Sequence, residues 1–159
     1  FIRPEDSIKI QNAIGSDIMM ALDDVVKTTT IGQECKRLCK EHVDGLIEIC
    51  KQIKIHKEKS ISIVQGGIDA DLRKRCLEKL ILKDANGYAI GGLAGGEAKS
   101  EFFKTEDYAV NIYQETSQDI YGVGYPIDII LASLQGVDMF DCVFPTRTAR
   151  FGTAFTSYG

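Results

Sequence analysis

Short apolar runs of strand length alternate with amphipathic helical segments along nearly the whole chain. A helix that connects two strands carries the chain back to the edge where the first strand began, so the next strand runs parallel to it. The alternation therefore predicts an α/β protein with a parallel sheet. The predicted strands are 17–22, 61–64, 87–90, 119–123 and 136–141, and the predicted helices are 4–14, 34–53, 70–82, 99–114 and 126–134.

Two architectures fit this order of elements, an open doubly wound sheet and part of a (β/α)₈ TIM barrel. Almost every predicted strand ends in an acid or in glycines, at positions 23–24, 65–67, 91–92, 122 and 141. In a barrel all these ends meet on one rim, whereas in an open sheet only the ends near a switch point meet. The pattern favours the barrel. Because a full barrel needs about 250 residues, we expect residues 1–159 to be a fragment of a single barrel domain.

Composition narrows the classes of function. The net charge of −4 provides no general basic surface, so a contact with nucleic acid requires a local patch. The sequence contains no apolar run long enough to cross a membrane and no secretory signal. Five cysteines, odd in number and irregularly spaced, favour free thiols in a reducing compartment.

Acids at the predicted strand ends are the first candidates for chemistry. Asp23 and Asp141 close two different strands. Two carboxylates on one rim can act as nucleophile and base, or one can bind a polar substrate edge, although a strand-end aspartate also caps the segment after it. Asp24 fits the capping interpretation better. Arg147 and Arg150 follow Asp141 on a turn that contains a proline, and cations there suit an anionic substrate.

Three weaker signals accompany the acids. Gln65 ends its strand with an amide, which suits a nucleobase edge as well as a hydrogen bond to its own loop. The glycine-rich run 91–96 can expose backbone N–H groups to an anion or a carbonyl, although it matches neither a Walker A loop nor a dinucleotide fingerprint. Cys35, Cys39 and His42 share a helical face, but no fourth metal ligand is evident, so packing or a surface position is the stronger interpretation.

Five ordered stretches resemble motifs of the tRNA-guanine transglycosylase family. They are PEDSI at 4–8, VQGG at 64–67, GYAIGGL at 87–93, GVG at 122–124 and DMFDCVFPTRTAR at 138–150. The resemblance extends over nearly the whole chain, and five motifs in one order make it specific. It implies a (β/α)₈ barrel with a zinc-binding insertion, and the exchange of guanine at the wobble position of tRNA (GUN anticodons) for a 7-deazaguanine base.

The resemblance also implies roles for individual residues. Asp141 matches the family nucleophile, which attacks the ribose C1′ and holds the tRNA covalently until the incoming base displaces it. Other positions match residues that contact the base, and these are Asp23, Gln65, Gly92, Leu93, Gly95 and Tyr121. Tyr121 stands where the family commonly has Met. Matches to residues that contact the flanking nucleotides are Arg147, Thr148 and Arg150.

Gly95 indicates which base is used. Bacterial members usually carry a larger apolar residue there, and the run 95–97 resembles the eukaryotic branch, in which a small residue leaves room for the cyclopentenediol of queuine. In that branch the catalytic subunit pairs with a related inactive one, and the presence of Asp141 points to the catalytic member. The alternatives are a non-catalytic tRNA-binding subunit and a transglycosylase that uses a bacterial or archaeal precursor base.

Two parts of the family pattern lie outside the sequence. The stretch that supplies the second acid would precede Phe1, and the Cys and His ligands of zinc would follow Gly159. We therefore expect no metal site within the chain and an isolated fragment that is inactive. The resemblance further implies a related subunit or a second copy as partner, no DNA partner, and a cytoplasmic location that extends to the mitochondrial outer membrane through the dimer.

Overall fold

The computed structural model describes residues 2–23, 33, 37, 40–41, 60–82, 87–113, 117–121 and 123–157. The helices in this part are α1 (Pro4–Ile14), α2 (Ala70–Ile81), α3 (Lys99–Tyr113), α4 (Pro126–Gln135) and α5 (Phe144–Arg150). The strands are β1 (Met19–Met20), β2 (Ser60–Val64), β3 (Gly87–Ile90), β4 (Ser117–Tyr121) and β5 (Met139–Asp141).

The strands form one parallel sheet in the order β1-β2-β3-β4-β5. Val64 lies beside Ile90 in the register, and Ile90 lies beside Ile120. Helices α2, α3 and α4 connect the four strands from β2 to β5. Because the strands run in one direction, their carboxyl ends share one edge of the sheet. The predicted α/β class with a parallel sheet is confirmed.

The main core lies between the sheet and helices α2, α3 and α4. Residues of β2 and β3 are buried on both faces, as expected for central parallel strands. One face packs against the helices, whose buried contributions are Leu77, Leu80, Phe102, Ala109 and Ala132. On the other face Ile61, Ile63 and Ala89 pack against Met20 and Met139.

Local signals account for the helix boundaries. The carboxylate of Asp69 accepts the N–H of Leu72 at 3.0 Å and thereby caps α2. Helix α4 has Pro126 in its first turn, and α1 and α4 end at Gly15 and Gly136, which adopt positive φ values of 79° and 113°. The helical period of α2 predicts that five apolar residues face inward, namely Leu72, Cys76, Leu77, Leu80 and Ile81. All of them are buried except Ile81, which is exposed.

Several predicted boundaries are wrong. Strand β1 has two residues rather than the six of 17–22, β4 begins and ends two residues earlier than predicted, and β5 contains only the last three residues of 136–141. The arginines after β5 lie on helix α5 rather than on a turn. Pro145 is compatible with a helix there because it occupies the first turn, where its missing N–H is not needed.

The predicted helix 34–53 falls mostly outside the described residues. Arg37 and residues 40–41 are helical, and Arg37 forms an ion pair with Glu41 at 2.8 Å. In the described part of the chain, none of the helices combines the length and the apolar character that a bilayer span requires.

Candidate functional site

The loops after β1 and β2 bring Asp23 and Gln65 into contact at the carboxyl edge of the sheet. Gln65 follows β2 directly, and its side-chain Nε2 donates a hydrogen bond to Oδ1 of Asp23. Gln65 is only 4% exposed, whereas Asp23 is half-buried. The contact thus places an acid with partial access to solvent beside a buried amide.

The loop after β3 completes this group of residues. A Cβ atom on Gly92 would lie 2.5 Å from Oε1 of Gln65, and one on Gly91 would lie 2.9 Å from Nε2 of the same side chain. Gly92 also adopts a φ of 66°, which favours glycine. The backbone therefore approaches the amide more closely than any residue with a side chain would allow. We call Asp23, Gln65 and Gly92 the rim cluster.

The rim cluster combines the two kinds of hydrogen-bonding group that a heterocyclic edge requires. A carboxylate accepts hydrogen bonds, a side-chain amide both donates and accepts them, and a backbone N–H donates. A base edge that carries adjacent N–H donors and a carbonyl acceptor can be bound by such a set. The groups of the cluster are therefore suited to bind and orient such an edge.

Arg73 on α2 lies beneath the rim cluster and was missed by sequence reasoning. Its side chain is 1% exposed. Its guanidinium donates to the carbonyls of Gly67 at 2.7 Å, Val64 at 3.2 Å and Gly91 at 2.9 Å. A buried charge needs such partners, and its position between Leu72 and Cys76, within the apolar stripe of α2, was the signal that could have found it.

Glu97 fixes the loop that follows the rim cluster. Its carboxylate accepts the N–H of Ala94 at 2.5 Å and the N–H of Gly95 at 3.0 Å. The prediction that the run 91–96 offers its N–H groups to a ligand is therefore wrong for these two positions. The side chain of Leu93 is buried, so a contact from this residue to a ligand would involve its backbone, while Gly95 is exposed.

Asp141 is exposed at the end of β5, beside Tyr121 at the end of β4 in the register. The loop between Asp141 and α5 packs closely against the loop after β4. A Cβ atom on Gly124 would lie 2.5 Å from Cβ of Cys142, and the N–H of Phe144 donates to Sγ of Cys142 at 3.3 Å. These contacts fix the backbone directly after the acid.

Helix α5 carries Arg147 and Arg150 on the surface after Asp141, and both are exposed. The Thr148 hydroxyl donates a hydrogen bond to the carbonyl of Phe144 at 2.9 Å, so its hydrogen-bonding partner lies within the helix itself. The Phe144 ring packs against Tyr125 with the ring centroids 4.2 Å apart, and also contacts Phe155 at 5.3 Å, so aromatic contacts anchor the helix.

The predicted site residues thus form two groups on one edge of the sheet. The rim cluster lies at the ends of β1, β2 and β3, and Asp141 lies two strands beyond β3. Neighbouring strands are about 4.8 Å apart, so two strand spacings separate Gly92 from Asp141 by roughly 10 Å along the edge. This separation suits a ligand with one end on the rim cluster and its reacting atom at Asp141.

The structure offers little support for a metal site in the residues that it describes. Nowhere among them do three or more His, Cys, Asp or Glu side chains form a group that could hold a metal ion. The candidate ligands Cys35, Cys39 and His42 lie outside the described residues. Cys76 and Cys142 carry thiols and form no disulfide with each other. Burial raises the pKa of Cys76 to about 11, so this thiol is protonated and serves packing.

Gly92→Ala is expected to destabilise the protein by about 2–4 kcal/mol, because the new methyl group meets Gln65 and the residue must hold a positive φ. The matched control is Gly15→Ala, whose φ is also positive at 79° but whose Cβ meets nothing within 4 Å. Urea unfolding of both variants separates the backbone cost from the contact with Gln65. Equal losses of unfolding free energy in the two variants would show that the Gln65 side chain moves aside without destabilising the protein.

Comparison with known proteins matches the chain along its whole length. The family model described as "TGT: Queuine tRNA-ribosyltransferase" matches residues 1–159. The queuine tRNA-ribosyltransferase catalytic subunit of Caenorhabditis briggsae is 42% identical over 158 residues, which are 98% of this chain and 39% of that protein. The catalytic subunit of Schizosaccharomyces pombe is 42% identical over 163 residues, with 99% and 40% covered.

Bacterial relatives match equally well. The queuine tRNA-ribosyltransferase of Thermodesulfovibrio yellowstonii is 42% identical over 170 residues, which cover 100% of this chain and 42% of that protein. The chain therefore spans about two fifths of the length of the curated relatives it matches.

Proposed function

The chain belongs to the queuine tRNA-ribosyltransferase family, and on this basis we propose that the protein which carries it exchanges guanine in tRNA for queuine through a covalent intermediate on Asp141. One observation carries the proposal beyond family membership. The rim cluster and Asp141, which are far apart in the sequence, share the carboxyl edge of one parallel sheet.

The rim cluster binds the base in this proposal. A guanine-type base carries an N–H and an amino group next to a carbonyl. The Asp23 carboxylate accepts hydrogen bonds from the N–H groups of the base. The side-chain amide of Gln65 and the backbone N–H of Gly92 donate hydrogen bonds to its carbonyl oxygen. The contact between Gln65 and Asp23 supports this assignment, because it holds the acid and the amide side by side.

Asp141 performs the bond chemistry. One carboxylate oxygen attacks C1′ of the ribose, the bond from C1′ to the guanine nitrogen breaks, and guanine leaves with its electron pair and takes up a proton. The ring nitrogen of queuine then attacks C1′, loses its proton and releases the carboxylate. Two displacements leave the configuration at C1′ unchanged, as in retaining glycosidases. The exposure of Asp141 supports this role, since a tRNA must reach it.

Helix α5 contacts the nucleotides that flank the target. Arg147 and Arg150 are exposed cations on the helix that follows Asp141 in the chain. With a net charge of −4 the chain has no general attraction for RNA, so binding depends on local cations of this kind. The target base must leave its stack to reach the edge of the sheet, and an unpaired anticodon loop makes this step cheap.

We also infer that the sheet is part of a (β/α)₈ barrel. A doubly wound sheet reverses its strand order at a switch point, whereas the five described strands follow one another in sequence. Helix α4 adds support, because it exposes an apolar stripe of the kind that one barrel helix presents to the next. The stripe consists of Ile127, Ile130, Leu131 and Leu134. Zinc, a partner subunit or second copy, and a cytoplasmic location stay predictions from the resemblance.

Base exchange tests the proposal directly. The complete protein that carries this chain is incubated with a tRNA that holds radiolabelled guanine at the wobble position, with and without queuine. We expect queuine to drive the release of label. Tight binding of tRNA without any release of label would favour a non-catalytic tRNA-binding subunit instead.

Gly95→Val is expected to lower kcat/KM for queuine about 10- to 100-fold more than for a smaller 7-deazaguanine, because the side chain fills the space for the cyclopentenediol. Overall identity does not separate the two classes of base, since eukaryotic and bacterial relatives are equally similar at 42%. Parallel assays with both bases measure the effect. Gly95→Ala adds a smaller side chain and should change the selectivity less. If both bases lost activity equally, the assignment of Gly95 to the queuine pocket would be wrong.

A further inference from the structure

Arg73 joins the two loops that carry the rim cluster. Its guanidinium bonds the carbonyl of Val64, directly before Gln65, and the carbonyl of Gly67, two residues after it. Its remaining nitrogen bonds the carbonyl of Gly91, directly before Gly92. Every one of these carbonyls lies within two residues of a member of the rim cluster.

The geometry of the guanidinium fixes the distance between the loops. Its N–H groups lie in one rigid plane, so three carbonyls that bind it are held in a set relation to one another. The loop after β2 also packs directly on this side chain, because a Cβ atom on Gly66 would lie 2.7 Å from Cγ and from the backbone N of Arg73. A shift of Arg73 therefore displaces Gln65 relative to Gly92.

Core packing alone does not account for an arginine at this position. The neighbouring inward residues of α2 are Leu72, Cys76, Leu77 and Leu80. A well-packed apolar residue would fill such a place without the cost of burying a charge. What the guanidinium adds is a connection between two loops that an apolar side chain cannot make.

We propose that Arg73 is a positioning residue for the base-exchange reaction, which sets the affinity for the incoming base by holding Gln65 and Gly92 in register without touching the base. This inference rests on the proposed function. Helix α5 and its arginines, which contact the flanking nucleotides in the proposed function, lie on a different part of the edge, so the affinity for tRNA depends on Arg73 less than the affinity for the free base does.

The test uses Arg73→Lys and Arg73→Gln in the complete protein that carries this chain. Lysine keeps the charge, and glutamine keeps two donors, but neither reproduces the planar guanidinium that bonds three carbonyls. We expect the KM for queuine to rise 10-fold or more in both variants, with the KM for tRNA changed by less than about threefold. The concentration of active protein is taken from the amount of covalent tRNA adduct.

Leu77→Ala is the matched control, since Leu77 is buried on the same helix. It should lower the unfolding midpoint and leave the KM for queuine unchanged. If the Arg73 variants behave like this control, or if neither of them folds while Leu77→Ala does, Arg73 is only structural and the inference is overturned.

Failure of the proposed function gives a different result. An active wild type with an unchanged KM for queuine in both Arg73 variants overturns only the positioning role. A wild type that neither exchanges nor binds queuine, as judged by isothermal titration of the base, overturns the proposed function and the inference with it. If the wild type binds queuine without exchange, the same comparison is made on the dissociation constants, with the same 10-fold rise expected.

Discussion

Asp141→Asn is expected to abolish the covalent adduct between the protein and tRNA, and to lower base exchange by roughly 10⁴-fold or more. An amide cannot replace a carboxylate as the nucleophile at C1′. The two side chains have nearly the same shape, and Asp141 is exposed at the end of β5, so the change creates no cavity. We therefore expect the variant to fold as the wild type does and to bind tRNA with little change.

A denaturing gel tests this prediction by measuring the covalent adduct. Wild type and variant are incubated with labelled tRNA and a 7-deazaguanine base, and label that migrates with the protein reports the adduct. Glu78→Gln is the control, because Glu78 is an exposed acid in the last turn of α2, at the end of that helix away from the carboxyl edge of the sheet. An adduct that survives in Asp141→Asn would place the nucleophile elsewhere.

Elements buried on both faces were predicted well from the sequence. The apolar runs of β2 and β3, and the apolar stripe of α2, are local signals that agree with their tertiary surroundings. The errors in strand length concern β1 and β5, which form the outer strands of the described sheet, whereas β4 has the predicted length but is shifted by two residues. There the surrounding apolar residues continue into loops, so hydrophobicity alone cannot mark where strand pairing stops.

Helix α5 shows a different source of error. Pro145 favours a turn when only the sequence is considered, although a proline in the first turn of a helix removes an N–H group that would have no intrahelical partner. The segment is seven residues long and has no buried residue, so it carries no hydrophobic period that could have indicated a helix. Its aromatic contacts come from Tyr125 and Phe155, which lie outside the helix on either side of it in the sequence.

In the candidate site, too, some contacts could be predicted from the sequence and others could not. That Asp23 and Gln65 would meet follows from the rule that parallel strands end on one edge, given two neighbouring strands. The bonds from Arg73 to three carbonyls depend on how two loops fold over α2, and no spacing in the sequence expresses that. The same holds for Glu97, whose carboxylate binds its own loop.

Glu106 on α3 gives the molecule a marked dependence of stability on pH. Its side chain is 0% exposed, and neither carboxylate oxygen has a hydrogen-bond partner among the described residues. Burial raises the pKa of Glu106 from 4.5 to about 7, and the negative charges of Asp128 and Asp107 add to the effect. Asp128, on α4, is itself buried and pairs with Lys99, and among the described residues no cation pairs with Glu106.

The direction of the effect follows from proton binding. Below a pH of about 4.5 the carboxyl group is protonated in the folded and the unfolded state, and its titration then has no effect on the free energy of unfolding. Between about 4.5 and about 7 the unfolded chain releases the proton first, so stability falls as the pH rises. Above about 7 the loss is complete, and a shift of this size corresponds to about 3 kcal/mol.

Glu106→Gln is expected to remove most of this loss and to raise the free energy of unfolding at pH 8 by about 2 kcal/mol, because a neutral amide replaces a buried negative charge. Urea unfolding at pH 5, 6, 7 and 8 measures the two profiles. Glu101→Gln, at an exposed position on the same helix, should keep the profile of the wild type. Parallel profiles for wild type and Glu106→Gln would mean that Glu106 ionises in the folded protein as readily as in the unfolded chain, which requires a cation or water that reaches it.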